Sequence, residues 1–292
     1  MGRWRTRGVL LLTVAAIGTP VLLRSQVPSA VDQKLLTFEV ASVKTGVPSD
    51  VPTGIRPVTA GGQFRAVLTL HDLIQIAYGS PLALLPSQVI GGPDWVAKER
   101  FEIIAKAEGL ANAPSGGRDQ LQAMMQTLVA ERFRVVLRRE SRQLPIFNLV
   151  LDRSDGKLGP RLHPEDGLCI PMSATSTSVA DQSRWCGFRR FAPGAISARG
   201  MTLDAFASGI STRPDIQRVV RNRTSLIGNF DFDLDYTPDT PVQQDQAPPG
   251  STRDGGVSLS TALREQLGLK LENATGPVDV LVIDHVERPT PD

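Results

Sequence analysis

Three aspartates, Asp231, Asp233 and Asp235, alternate with Phe230, Phe232, Leu234 and Tyr236, and their spacing comes nearest to a chemical site in this chain. A period of two puts the carboxylates on one face of a strand and the apolar side chains on the other. Such a row offers oxygen ligands to Ca²⁺, which takes about six to eight of them. Alternate strand positions lie about 7 Å apart, too far for all three carboxylates to chelate one ion. The row is therefore expected to be a solvated outer face whose charge discourages edge pairing. Just before it come Arg213, Arg218, Arg221 and Arg223. This basic cluster suits an anionic ligand such as a cell-wall or lipid phosphate, or it pairs with the aspartates that follow, which is the favoured reading.

Histidine chemistry has little to work with. The three histidines are His71, His163 and His285. A triad needs a nucleophile and an orienting acid around one imidazole. His71 stands beside Asp72 in the first turn of a predicted helix. His285 follows Asp284 on a strand, where sequence neighbours point to opposite faces. The sequence contains no HExxH pair, P-loop, dinucleotide-binding glycine pattern or Gly-x-Ser-x-Gly elbow. No catalytic, cofactor-binding or metal residue is assigned, and no cofactor is expected. The candidates left for ligand binding are Arg218, Arg221 and Arg223, with Tyr78 and Trp95 flanking a glycine-rich turn where they would line a groove.

The chain bearing these residues has 292 residues, 41% hydrophobic and 21% charged, with a net charge of +2. That is the composition of a globular protein. The near balance of charge gives no cationic face for a nucleic-acid partner. Arg3, Arg5 and Arg7 precede an apolar run from Val9 to Leu23, the pattern of a secretory signal. The run is shorter than the roughly 20 residues that span a bilayer, so residues 1–30 are expected to direct export, with membrane attachment only if they are not cleaved. Cys169 and Cys186 are the only cysteines. In an exported chain an even number suggests a disulfide, which would stabilise by about 3 kcal/mol in the chain-entropy model. His163 alone cannot complete a zinc site with them.

Periodicities recur in a repeated order. Phe38–Lys44 and Gly61–Val67 alternate like strands. Leu70, Leu73, Ile74 and Ala77 share one helical face after Thr69, whose pairing with Asp72 resembles an N-cap. Gly79 and Pro81 end that helix. Strands are predicted near Gln88–Ile90 and over Phe101–Ala107. A second helix over Gln120–Phe133, capped by Asp119, buries Leu121, Met124, Met125, Leu128 and Val129. Two strands, Arg134–Arg139 and Pro145–Asp152, close this part. Thr202-Leu203, Phe230–Tyr236, Glu265-Gln266-Leu267 and Val278–Asp284 then answer Thr69-Leu70, Phe101–Ala107, Glu131-Arg132-Phe133 and Ile146–Asp152, at offsets of 133, 129, 134 and 132. Chance likeness between amphipathic segments would not keep order and spacing together. The expected fold is α+β, with two pseudo-repeated halves, each a mostly antiparallel sheet with two helices on one face. The boundaries are 31–153 for the first half, 154–193 for a linker carrying the cysteines, and 194–292 for the second half. Thr237–Gly256 reads as a loop.

The phrases Phe38-Glu-Val-Ala-Ser-Val-Lys44, Gly91-Gly-Pro-Asp-Trp95, Arg100-Phe-Glu-Ile-Ile-Ala-Lys106, Leu226-Ile-Gly-Asn-Phe-Asp-Phe232 and Val280-Leu-Val-Ile-Asp-His-Val286 resemble those of an exported soil-bacterial family classed as a domain of unknown function. The resemblance spans Phe38 to Arg288 and brings no catalytic residues with it. Similar domains are joined to membrane metallopeptidases of the antibiotic-sensor type, which implies sensing or binding outside the cytoplasm. The expectation is a non-catalytic periplasmic or secreted module that binds an envelope ligand or protein. The alternatives are a carboxylate-based hydrolase and a structural envelope protein acting by strand addition.

Overall fold

The computed structural model describes residues 36–56, 62–79, 82–107, 117–167, 185–238 and 256–290. The expected signal segment, Cys169 and most of Thr237–Gly256 lie outside them. In chain order the first elements are β1 (Val40–Lys44), β2 (Gly54–Arg56), β3 (Gln63–Thr69), α1 (Leu70–Tyr78), β4 (Val89–Gly91), α2 (Trp95–Lys98), β5 (Arg100–Lys106), α3 (Gly117–Arg132) and β6 (Val136–Leu151). Then come β7 (Leu162–Pro164), β8 (Arg189–Ala192), β9 (Ala195–Met201), α4 (Leu203–Ser211), β10 (Val220–Asn222), β11 (Phe230–Asp235), α5 (Leu259–Ala262), which runs into a π-helical turn over Leu263–Leu267, and β12 (Leu269–His285). The protein is thus a mixed α+β fold. Among the described residues no helix is long and apolar enough to cross a membrane.

Local chemistry starts both nine-residue helices in the same way. Thr69 accepts the Asp72 N–H at 3.1 Å and donates to its carboxylate at 2.8 Å. Thr202 accepts the Ala205 N–H at 3.2 Å. A hydroxyl in this position satisfies one of the free N–H groups of the first turn. Leu70, Leu73, Ile74 and Ala77 of α1, and Leu203, Phe206, Ala207 and Ile210 of α4, are buried, as 3.6-residue periodicity requires. Asp119, expected as a cap, instead lies inside α3, which begins at Gly117.

The strands form three sheets. Two are antiparallel, the first ordered β1-β5-β3-β2 and the third ordered β7-β11-β9-β8. The second is central and ordered β10-β6-β12-β4, with the long antiparallel pair β6–β12 at its middle and a short parallel strand on each side. This central sheet departs from the expected one sheet per half. The stretch read as a linker contributes β7 and β8 to the third sheet, because Leu162 fills the core beneath it.

Arg134–Arg139 and Pro145–Asp152, expected as two strands, belong to the single strand β6, which runs through Pro145. Phe147 N–H donates to Val219 and the Leu149 carbonyl accepts from Arg223, so odd-numbered residues here turn their backbone toward β10 and away from β12. Pro145 has the same parity, and Pro277 pairs with odd-numbered Gln143. Neither proline interrupts the β6–β12 ladder, since no donor is needed at those positions.

The two largest cores follow from this arrangement. One gathers Phe64, Phe101, Ile103, Leu73, Met125 and Phe133, together with Leu281 and Ile283 of β12. The other gathers Phe206, Phe232, Leu234, Ile210, Leu263 and Leu267, together with Leu149 of β6. On the opposite face of β6, Arg138, Glu140 and Arg142 form an exposed ion ladder that also takes in Asp284. The flanking guanidiniums of Arg142 and Arg138 hold the Glu140 carboxyl down at about 2 from an ordinary 4.5. A depressed folded-state value means that the ladder's contribution is complete above the usual carboxylate range and is lost as pH falls toward about 2. Carboxyl NMR should place the Glu140 midpoint there, and Arg142→Gln should raise it; a wild-type midpoint near 4.5 would show that the ladder does not form.

Candidate functional site

The carboxylate row lies on the outer face of the third sheet. β11 carries it between β7 and β9, while Phe230, Phe232 and Leu234 point into the core. Asp231 stands directly across from His163, and Asp233 across from Ser197. Each carboxylate has a partner from a neighbouring segment. Asp231 accepts the Gly200 N–H at 2.7 Å, Asp233 accepts from Arg199 at 2.8 Å, and Asp235 accepts from Arg161 at 2.6 Å. Arg199 is anchored further by the carbonyls of Ala198 and Phe232, at 2.8 and 3.1 Å.

A short strap fixes Arg161. Residues 159–161 lie along the turn before β12, with the Gly159 and Arg161 N–H groups donating to the Leu267 and Gln266 carbonyls at 2.9 Å each. Arg161 also donates to the Gln266 side chain at 3.1 Å. The result is an open groove of about 480 Å³ lined by Arg161, His163, Asp166, Arg199, Asp231 and Asp233, with Pro160, Pro164 and Phe232. Two guanidiniums and three carboxylates line it, with His163 beside them. Positive and negative groups alternate across the floor, so the groove suits a polar ligand carrying both signs more than a uniformly charged one. Asp233 and Asp235 are about half and two-thirds exposed, at 49% and 67%.

The basic cluster does not pair with the aspartates, contrary to the favoured expectation. Arg213 donates to the Tyr236 hydroxyl at 2.6 Å. Arg218 lies 4.5 Å over the Phe147 ring and donates to Asn273 at 3.1 Å. Arg221 donates to the Pro277 carbonyl, and Arg223 is exposed. The reason is topological. The cluster follows α4 and leads into β10, which joins the central sheet, whereas the sheet neighbours of β11 are β7 and β9.

Tyr78 and Trp95 lie in the first core's periphery. Trp95 meets Phe101 edge-on at 6.1 Å, and Arg288 lies 5.0 Å from its ring while pairing with Glu99 at 2.7 Å. Burial pushes the Tyr78 phenol up. None of Tyr78, Trp95, Arg218, Arg221 and Arg223 lines the groove.

The other histidines serve the scaffold. Gln75 Nε2 donates to His71 Nδ1 at 2.7 Å, which leaves the Nε2–H to donate to the Val89 carbonyl at 3.0 Å and tie α1 to β4. His285 contacts Glu287 at 2.9 Å, while Asp284 turns to Arg138 at 3.0 Å. Sequence reasoning singled out the aspartates but missed Arg161 and Arg199 as groove residues, and it considered His163 only as a partner for cysteines or as one of three histidines for a triad. Cross-strand pairing brings them together, and nothing in their local spacing announces it.

The chain matches the family described as protein of unknown function (DUF3738) over residues 71–286. No curated protein and no solved structure matches it.

Proposed function

The chain belongs to the DUF3738 family of proteins of unknown function, and from that premise we propose that it is a non-catalytic envelope module that binds a ligand or protein partner in the groove of the third sheet. The observation that carries this reading is the mixed-charge floor built by β7, β9 and β11 around Arg161, His163, Arg199 and Asp231. Export is supported by the Arg3, Arg5, Arg7 and Val9–Leu23 pattern. A Cys169–Cys186 disulfide is supported by the even count and by the lack of a free cysteine among the described residues.

Internal duplication is part of the same reading. Its support is the matching order of the two antiparallel sheets, the paired threonine caps and the equal lengths of α1 and α4. Under this duplication β6 and β12 align at an offset of 134, two residues from the 132 expected, because the parallel pairs equate Phe147 with Leu281. The copies differ at the groove. Glu102, Ile104 and Lys106 of β5 stand where β11 has Asp231, Asp233 and Asp235, so the carboxylate row belongs to one half alone.

The test is a thermal-shift screen of the purified chain against envelope glycans, peptides and lipids. A ligand at about 100 times its Kd stabilises by about 2.7 kcal/mol, an upward shift of several degrees. Arg161→Ala combined with Asp231→Asn should abolish that shift and leave the unliganded melting temperature nearly unchanged, since the first removes only an exposed ion pair worth about 0–1 kcal/mol and the second keeps an amide oxygen to accept the Gly200 N–H. A null screen with no partner crosslinked in cells would end the proposal.

A further inference from the structure

The central sheet carries a second relation between the halves. Val89, Ile90 and Gly91 of β4 pair in parallel with Leu281, Val282 and Ile283 of β12. Val220, Arg221 and Asn222 of β10 pair in parallel with Phe147, Asn148 and Leu149 of β6. An advance of 131 residues carries the first trio of short-strand residues onto the second, and an advance of 134 carries Phe147–Leu149 onto Leu281–Ile283. The same advance of 134 carries Gln143 onto Pro277, and those two residues are direct cross-strand partners. An antiparallel pair of equivalent strands in which a residue faces its own equivalent has a local two-fold axis at that position. The relation between the long strands is therefore reciprocal, with its axis between Gln143 and Pro277.

The cores are exchanged in the same sense. Leu281 and Ile283 close the first core, whose other buried residues come from positions 43–135. Leu149 enters the second core, with Phe147 and Leu151 packed beside it. A second copy of the first half, docked about the same axis, would bring Phe147 and Leu149 to the places of Leu281 and Ile283. Both are apolar, so the first core would still be closed.

The opposite face obeys the same rule. Arg138, Glu140 and Arg142 of β6 lie across from Val282, Val280 and Val278, and Asn148, Ile146 and Leu144 would take those places, keeping apolar residues at two of the three. In the second half the exchange is poorer, since His285 would stand where Leu151 packs.

We infer that the first half is built as one protomer of a strand-exchanged two-fold dimer, and that the partner its β6 surface fits is a second copy of itself. This rests on the duplication proposed above. If a crystal structure showed halves of unlike topology, the duplication itself would fall. Failure of the fragments described next would remove only the exchange.

A protease recognition sequence inserted at Gly156 allows the full chain to be cut between the halves. Gly156 is exposed, and a side chain there would meet nothing within 4 Å. The fragment up to residue 156, separated in denaturant and refolded alone, should regain β structure and run at twice its mass. It contains no native cysteine, so Gln143→Cys in this fragment should oxidise to a symmetric covalent dimer, because Cα atoms in an antiparallel pair lie about 4.5–5.5 Å apart, within disulfide reach. Ser141→Cys, displaced from the axis, should crosslink far less. A folded monomer, refolding only when the second fragment is added, no refolding under either condition, or equal crosslinking at both positions would each overturn the inference.

Discussion

Truncating Leu281 to alanine should destabilise the chain by about 2–5 kcal/mol, the usual range for removing a buried leucine side chain. Leu281 is 4% exposed and packs in the first core although it lies near the C-terminal end of the chain. The decisive readout is where protection is lost. Hydrogen exchange should accelerate in α1, α3 and β5, more than 140 residues away in sequence, before it accelerates in α4 and β11. Ile283→Ala should act the same way, since Ile283 shares that core. If either substitution loosened the second core first, the two cores would not be closed by each other's strands.

Gly159→Ala should be strongly destabilising. A Cβ built there would lie 2.4 Å from the Gln266 carbonyl oxygen, 2.5 Å from Gly268 N and 2.5 Å from the Leu267 carbonyl carbon. All three are backbone atoms, so no side-chain rotation relieves the clash, and the strap must lift away. Overpacking costs typically about 1–3 kcal/mol and more where the backbone has to move. Lifting the strap also breaks the Gly159 and Arg161 bonds to Leu267 and Gln266, which hold Arg161 at the rim of the groove. Urea denaturation should therefore show a lower midpoint for this variant, and any ligand found for the groove should bind less tightly. Gly156→Ala, three residues earlier, meets nothing within 4 Å and is the control for the clash, its own cost coming only from the positive φ of 72°. Equal destabilisation by the two substitutions would mean that the strap does not pack against the turn before β12.

Much of the architecture can be read from local sequence, for reasons that are themselves local. The Thr69 and Thr202 caps, the buried stripes of α1 and α4, and the alternation of Phe230–Tyr236 depend on neighbours within a few residues. The aspartate row was legible as an outer face for the same reason. Strand continuity through Pro145 was not, because a proline reads as a break unless its missing donor points away from the ladder, and that depends on which strand lies on each side.

Sequence by itself determined the α+β class, the starts of α1 and α4, the inward and outward faces of β11 and the membership of the family. Tertiary structure alone decided which charges meet. Arg161 and Arg199 reach the aspartates because β7 and β9 flank β11, and the cluster from Arg213 to Arg223 is drawn to Tyr236 and the central sheet instead. Helix and strand periods depend on backbone geometry repeated every few residues, whereas the pairing of strands distant in sequence depends on burying apolar faces together, and no short window of the chain contains both partners.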